Sequence, residues 1–114
     1  FPDYKIDIEE THHLQKLDKP SGTAITLAKD IIRTHPRYRR WAIDASKEND
    51  VKIASLRQAE VAGKHVINYH SSIDTIAITH EAHSREGFAL GAVLVAEWIQ
   101  DKKGIFTMND FIKI

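Results

Sequence analysis

Two adjacent histidines, a lysine and a Ser-Gly-Thr turn fall within one short run, Thr11-His12-His13-Leu14-Gln15-Lys16-Leu17-Asp18-Lys19-Pro20-Ser21-Gly22-Thr23-Ala24. Residues of these types at this spacing could hold an anion and hand it a proton. The run lies where an alternating pattern gives way to a helical one, so the turn opens a helix whose first amides are unpaired and carry a partial positive charge. Gly22 lets the backbone approach a ligand closely, Thr23 adds a hydroxyl, and Lys16 and Lys19 add full charges. An unperturbed imidazole titrates near ~6.5, which suits a histidine here to proton transfer. Adjacent residues on a regular strand face opposite sides, so one of the two histidines can equally be structural. Ser21 reads as a helix cap rather than a nucleophile, because no Gly-x-Ser-x-Gly elbow surrounds it.

The elements that must position these groups are legible on either side. Between Tyr4 and Thr11, Ile6 and Ile8 face one way and Lys5, Asp7 and Glu9 the other, which predicts a strand with one wet face. From Ser21 a helix is expected: Ala24, Leu27, Ala28, Ile31 and Ile32 recur at helical spacing until Thr34-His35-Pro36 ends it. Residues 36–50 read as a long polar connection, either functional or merely solvated. Val51–Arg57, Lys64–Ser71 and Thr75–Ala82 are rich in β-branched and aromatic residues and predict three more strands. The expected fold is α+β, a mostly antiparallel or mixed sheet of about four strands with helices packed on one face. Phe88–Ile99 is apolar almost without interruption, and in a domain this small its cover must come from another subunit or another domain. The tail from Gly104 predicts a short amphipathic turn at residues 108–112.

A chain of 114 residues supports one core, as a single domain or a fragment of something larger. Sixteen basic residues balance sixteen acidic ones, so no global field argues for nucleic acid or an anionic membrane surface as a partner. The absence of cysteine excludes a disulfide framework, a thiolate metal site and a cysteine nucleophile, and it fits a reducing compartment. With no signal-like start and no apolar run long enough to span a bilayer, a soluble cytoplasmic protein is expected. His80-Glu81-Ala82-His83 has the letters of a metal site but not the HExxH spacing, so no metal is assigned and His65, His70, His80 and His83 are read as structural. Trp41 and Trp98 are read as core or subunit-contact residues, and the Arg37-to-Lys47 stretch is too mixed to be a nucleic-acid stripe.

His12-His13-Leu14-Gln15-Lys16 followed by Pro20-Ser21-Gly22-Thr23-Ala24 resembles the signature of the dihydrodipicolinate reductase (4-hydroxy-tetrahydrodipicolinate reductase) family. Ile78-Thr79-His80-Glu81-Ala82-His83-Ser84-Arg85 with Phe88-Ala89-Leu90-Gly91-Ala92 is similar to the family's last strand and following helix, and Ile105-Phe106-Thr107-Met108-Asn109-Asp110 to its C-terminal end. The resemblance implies the C-terminal domain alone, since no Gly-x-Gly-x-x-Gly follows a strand. It implies an NADH- or NADPH-dependent oxidoreductase of lysine and diaminopimelate biosynthesis, with the cofactor bound mainly by an N-terminal domain outside this chain. It also implies a homotetramer acting on a cyclic imine dicarboxylate, and a chain that by itself does not transfer hydride. Carried over by position, His12 and Lys16 match the catalytic residues, and His13, Lys16, Gly22, Thr23 and Arg85 the substrate-contacting ones. Which of His12 and Lys16 gives the proton stays open, and Arg85 can equally be an ion-pair partner of Glu81 or Glu86. The resemblance divides the chain into a substrate-binding and oligomerisation part, residues 1–85, and a helical segment, residues 86–114, that returns toward the nucleotide domain. Two other readings compete: a non-catalytic self-assembling module that binds a dicarboxylate, and a histidine-rich metal-binding domain.

Overall fold

The computed structural model describes residues 3–44 and 47–113 and divides into two compact units, Phe1–His83 and Ser84–Ile114. The first unit runs β1 (Lys5–His12), α1 (Gly22–Thr34), β2 (Arg40–Ile43), β3 (Asp50–Arg57), β4 (Gly63–His70) and β5 (Thr75–Ala82). These strands form one sheet in the order β2-β3-β1-β4-β5. β3 lies parallel to both β1 and β2, while β4 is antiparallel to β1 and β5. The mixed α+β sheet is the expected class, with one strand more than expected.

That extra strand, β2, sits inside the stretch read as a connection. It is only four residues long, too short for an alternation to show among its charged flanks. Its position is set by tertiary contacts: Asp50, 6% exposed, takes a two-pronged grip from Arg40 at 2.8 and 3.1 Å and accepts the Lys47 amide at 2.9 Å. An arginine fork on a carboxylate fixes geometry as well as charge, and here it ties the start of β2 to the start of β3.

The core lies between one sheet face and α1. Ile6 and Ile8 of β1 and Val51 and Ile53 of β3 meet Ala24, Ala28 and Ile31 of α1, all of them buried. The two alanines let the helix lie close on the strands. Ser21 caps α1 by accepting the Ala24 amide at 3.2 Å, as a serine at that position should. Tyr38, just before β2, is also buried, and its hydroxyl accepts the Ile6 amide at 2.6 Å, which satisfies a polar atom inside an apolar layer.

In the second unit, α2 (Glu86–Ile99) is followed by α3 (Met108–Ile112). Trp98 packs edge-on against Phe106 and Phe111, with ring centroids 5.5 and 5.6 Å away, and this small cluster folds the tail back on the helix. α2 nevertheless buries no residue, leaving Phe88, Leu90 and Val93 more than half exposed. No helix of the described residues is long and apolar enough to cross a membrane.

Candidate functional site

β1 is bracketed on both sides, so its last residues are fixed from two directions. Glu10 pairs with Ser55 on β3 and His65 on β4, and His12 stands beside Arg57. Glu10 continues the side of the strand that carries Ile6 and Ile8, and it is fully buried. A carboxylate carried into an apolar layer must find donors. It finds four bonds: the Ser21 amide at 3.1 Å and Arg57 Nη2 at 3.1 Å on one oxygen, and His12 Nδ1 at 2.5 Å and Arg57 Nη1 at 2.9 Å on the other. Burial pushes the Glu10 carboxyl up, but the donors from Arg57, His12 and the Ser21 amide outweigh it and hold the group below the usual carboxylate range.

An ionised carboxylate only accepts hydrogen bonds, so Nδ1 of His12 carries the proton between them and Nε2 is the ring nitrogen left to exchange one. Gly63, at the start of β4, leaves room there: a β-carbon at that position would lie 3.2 Å from His12 Nε2. The His12 ring also meets His65 edge-on, 5.1 Å between centroids. Burial first, and then the neighbouring His12 charge, lower the pKa of His65. Nε2 of His65 and the Ser21 hydroxyl share a hydrogen bond of 2.8 Å, while the same oxygen caps α1.

The loop between β1 and α1 is anchored by Arg57. Its Nε donates to the Lys16 carbonyl at 2.9 Å and its Nη2 to the Asp18 carbonyl at 2.6 Å. Lys16 is half-buried, and its ammonium pairs with Asp18 at 3.0 Å inside the loop. His13 Nδ1 lies 3.2 Å from Gln15 Oε1. Gly22 and Thr23 are the first two residues of α1 and are exposed. Their amides are among the helix-start donors that no turn of the helix can satisfy.

Of the residues read from the sequence, His12, the Lys16 backbone and the start of α1 are therefore tied together through Glu10 and Arg57. The side chains of Lys16 and His13 instead find partners within their own loop. Arg85 belongs to the second unit, at the N-cap position of α2, and among the described residues it forms no ion pair with Glu86, while Glu81 pairs with Lys64. Sequence reasoning missed Glu10, Arg57 and His65. For Glu10 the signal was present, as a charge on the apolar side of an alternating strand. Arg57 and His65 are brought in by strand pairing.

The charges at this site predict acid lability. His65 and Glu10 both have pKa values lowered by folding, so the unfolded chain binds more protons as pH falls and stability drops with it. The His65 contribution is complete above ~6.5 and erodes below that, and the Glu10 contribution erodes only below the ordinary carboxylate value of ~4.3. Urea midpoints should fall between about pH 7.5 and pH 5.5, and His65→Gln should flatten that fall. An identical slope in the variant contradicts the assignment.

A sequence model of the family described as "Dihydrodipicolinate reductase, C-terminus" matches residues 1–112. The 4-hydroxy-tetrahydrodipicolinate reductase of Christiangramia forsetii is 54% identical over 110 residues, covering 96% of this chain and 46% of that protein. The protein of the same name from Buchnera aphidicola subsp. Schizaphis graminum is 41% identical over 118 residues, covering 95% of this chain and 43% of that one. The chain thus spans less than half the length of these relatives. Among solved structures, a dipicolinate-bound dihydrodipicolinate reductase from Paenisporosarcina sp. TG-14 shares the fold with a TM-score of 0.65 at 24% identity, covering 93% of this chain and 43% of that one.

Proposed function

The chain belongs to the family of dihydrodipicolinate reductase C-terminal domains, and from that premise we propose that it is the substrate-binding and proton-delivering part of a 4-hydroxy-tetrahydrodipicolinate reductase. The reaction is the nicotinamide-dependent reduction of a cyclic imine dicarboxylate to tetrahydrodipicolinate, in which the ring gains a hydride and a proton and its 4-hydroxyl group departs as water. The observation that carries the reading is that one buried carboxylate, Glu10, holds both the His12 ring and the amide of Ser21 at the start of α1. A proton donor and an anion-binding helix end are thereby fixed to the same point. A relative in fold is bound to dipicolinate, which supports a small ring dicarboxylate as the ligand. The names of the relatives weigh against a non-catalytic module.

The residues of this chain do not fit a dinucleotide. The turn between β1 and α1 carries a single glycine, Gly22, where close approach to a pyrophosphate needs several, and the mixed sheet of the first unit, with β4 antiparallel to β1 and β5, is not a doubly wound parallel one. The hydride donor is therefore assigned outside these residues, and what this chain does is bind and protonate. The Gly22 and Thr23 amides with the Thr23 hydroxyl hold one carboxylate, and His13 and Lys16 the other. Lys16 exchanges the Asp18 carboxylate for that of the ligand. Arg85 is kept as a further fork of donors on the family resemblance alone. When the ring is reduced, the position left with the added electron pair takes a proton, and His12 Nε2 is suited to give it while Glu10 steadies the imidazolium. Ile76 and Ile78 on β5, 49% and 57% exposed, and the apolar α2 support assembly through subunit contacts, for which the family resemblance implies a homotetramer.

Calorimetric titration with pyridine-2,6-dicarboxylate tests the reading. Lys16→Ala and Thr23→Val should each weaken binding by about tenfold or more, the loss of about one charge-assisted hydrogen bond. The native affinity should also fall as salt rises. Undiminished binding in both variants removes the site from this loop.

A further inference from the structure

The Arg57 guanidinium offers five N–H donors, and each has a protein acceptor: the two Glu10 oxygens at 2.9 and 3.1 Å, and the carbonyls of Lys16, Asp18 and Leu56 at 2.9, 2.6 and 2.6 Å. Glu10 is equally full, since its four lone-pair sites meet Ser21, His12 and Arg57 twice. Neither side chain has capacity left for a ligand, and both are nearly or wholly removed from solvent, at 8% and 0% exposed. A site built to bind anions would leave its arginine donors open. This one closes them on backbone and on a carboxylate.

We propose that Glu10 and Arg57 are a positioning pair that sets both proton donors at once: Glu10 selects the His12 tautomer with the proton on Nδ1, and Arg57 fixes the backbone from which Lys16 projects. The inference rests on the reading of His12 and Lys16 as the reactive groups. In it, Glu10 bonds to His12 Nδ1 and orients the ring so that Nε2, beside Gly63, is the nitrogen left uncommitted. Arg57 reaches the loop and Glu10 in one rigid plane, so a shift of one donor entails a shift of the other. A lysine cannot reproduce this, because a single ammonium has three donors and no fork to span two carboxylate oxygens and two loop carbonyls.

Substitution of Glu10 by glutamine has a specific consequence. Three of the four donors aimed at this side chain, the Ser21 amide and the two Arg57 contacts, cannot become acceptors. His12 Nδ1 can, and the oxygen it meets carries one such fixed donor, Arg57 Nη1, where the other carries two, so the carboxamide nitrogen takes that place at the cost of the Nη1 contact and the ring carries its proton on Nε2 instead.

The experiment is nitrogen-15 NMR of the histidine rings near pH 8, where an ordinary imidazole is neutral, in the native chain, Glu10→Gln and Arg57→Lys, with pyridine-2,6-dicarboxylate titrated into each. Native His12 should be the Nδ1–H tautomer and Glu10→Gln should move it to Nε2–H. Arg57→Lys should keep the dispersed spectrum of a folded chain and bind the dicarboxylate about tenfold more weakly, since small misplacement of a positioned group is costly. A pair that served stability alone would be rescued by lysine, with affinity unchanged. Native His12 protonated on Nε2, an unmoved tautomer in Glu10→Gln, or full affinity in Arg57→Lys overturns the proposal. Should Glu10→Gln fail to fold, the native tautomer and Arg57→Lys decide it. If the native chain binds no dicarboxylate while the tautomer switches as described, the reading of the ligand fails and the role of Glu10 stands.

Discussion

In a two-domain reductase carrying this chain, His12→Ala should lower turnover by about 10²–10⁴-fold, the range for loss of a positioned general acid, and leave dicarboxylate affinity within a few-fold of native. The reason is geometric. Nδ1 is committed to Glu10, so Nε2 is the atom that can exchange a proton, whereas the neighbouring His65 has its own Nε2 engaged with Ser21, and His70 meets its carboxylate, Asp7, through Nε2. Alanine also leaves the Glu10 carboxylate one donor short, which by itself loosens the strand end. His12→Gln separates the two effects, because its amide can still donate to Glu10 but cannot give up a proton. Both variants should lose turnover alike while the glutamine form keeps the native unfolding midpoint more closely. Turnover is followed as nicotinamide oxidation. An unchanged rate in His12→Gln removes His12 from the chemistry and leaves Lys16 as the donor.

The second large effect is on stability. Arg57→Met should destabilise the chain by about 3–5 kcal/mol, because it strands a buried carboxylate without its principal partner, and urea unfolding reads this directly. Replacing Glu10 by glutamine in the Arg57→Met background should recover part of the loss, since the charge that made the methionine intolerable is gone; such contacting pairs couple by about 0.5–3 kcal/mol. The exposed pair Arg33–Asp30, 76% and 57% accessible, gives the contrast, and Arg33→Met should change little. A small loss in Arg57→Met, with no coupling to Glu10, would mean that the carboxylate takes up a proton or reaches water when its partner leaves. High salt should not mimic the substitution, because the pair is shielded from the solvent ions that screen surface charges.

What the sequence by itself determined is local. Alternation at Ile6 and Ile8, the Pro-Ser start and helical spacing of α1, and the β-branched runs of β3, β4 and β5 each follow from residue types within a few positions of one another. The Ser21 cap, the exposed start of α1 and the histidines shortly before it, on which the proposed anion site rests, were readable for the same reason. Only the tertiary structure decided which histidine nitrogen is free, how the loop carrying Lys16 is held, and that β2 is a strand at all. Those depend on Arg57, 47 residues from Glu10 along the chain, on His65, 44 from Ser21, and on Asp50, 10 from Arg40. A buried charge in a sequence announces that it needs a partner, as Glu10 did by standing on the apolar side of β1, but the partner is chosen by which strands pair and in which register. Register is a property of the whole sheet, set where hydrophobic faces of several elements close together, and no local pattern encodes it.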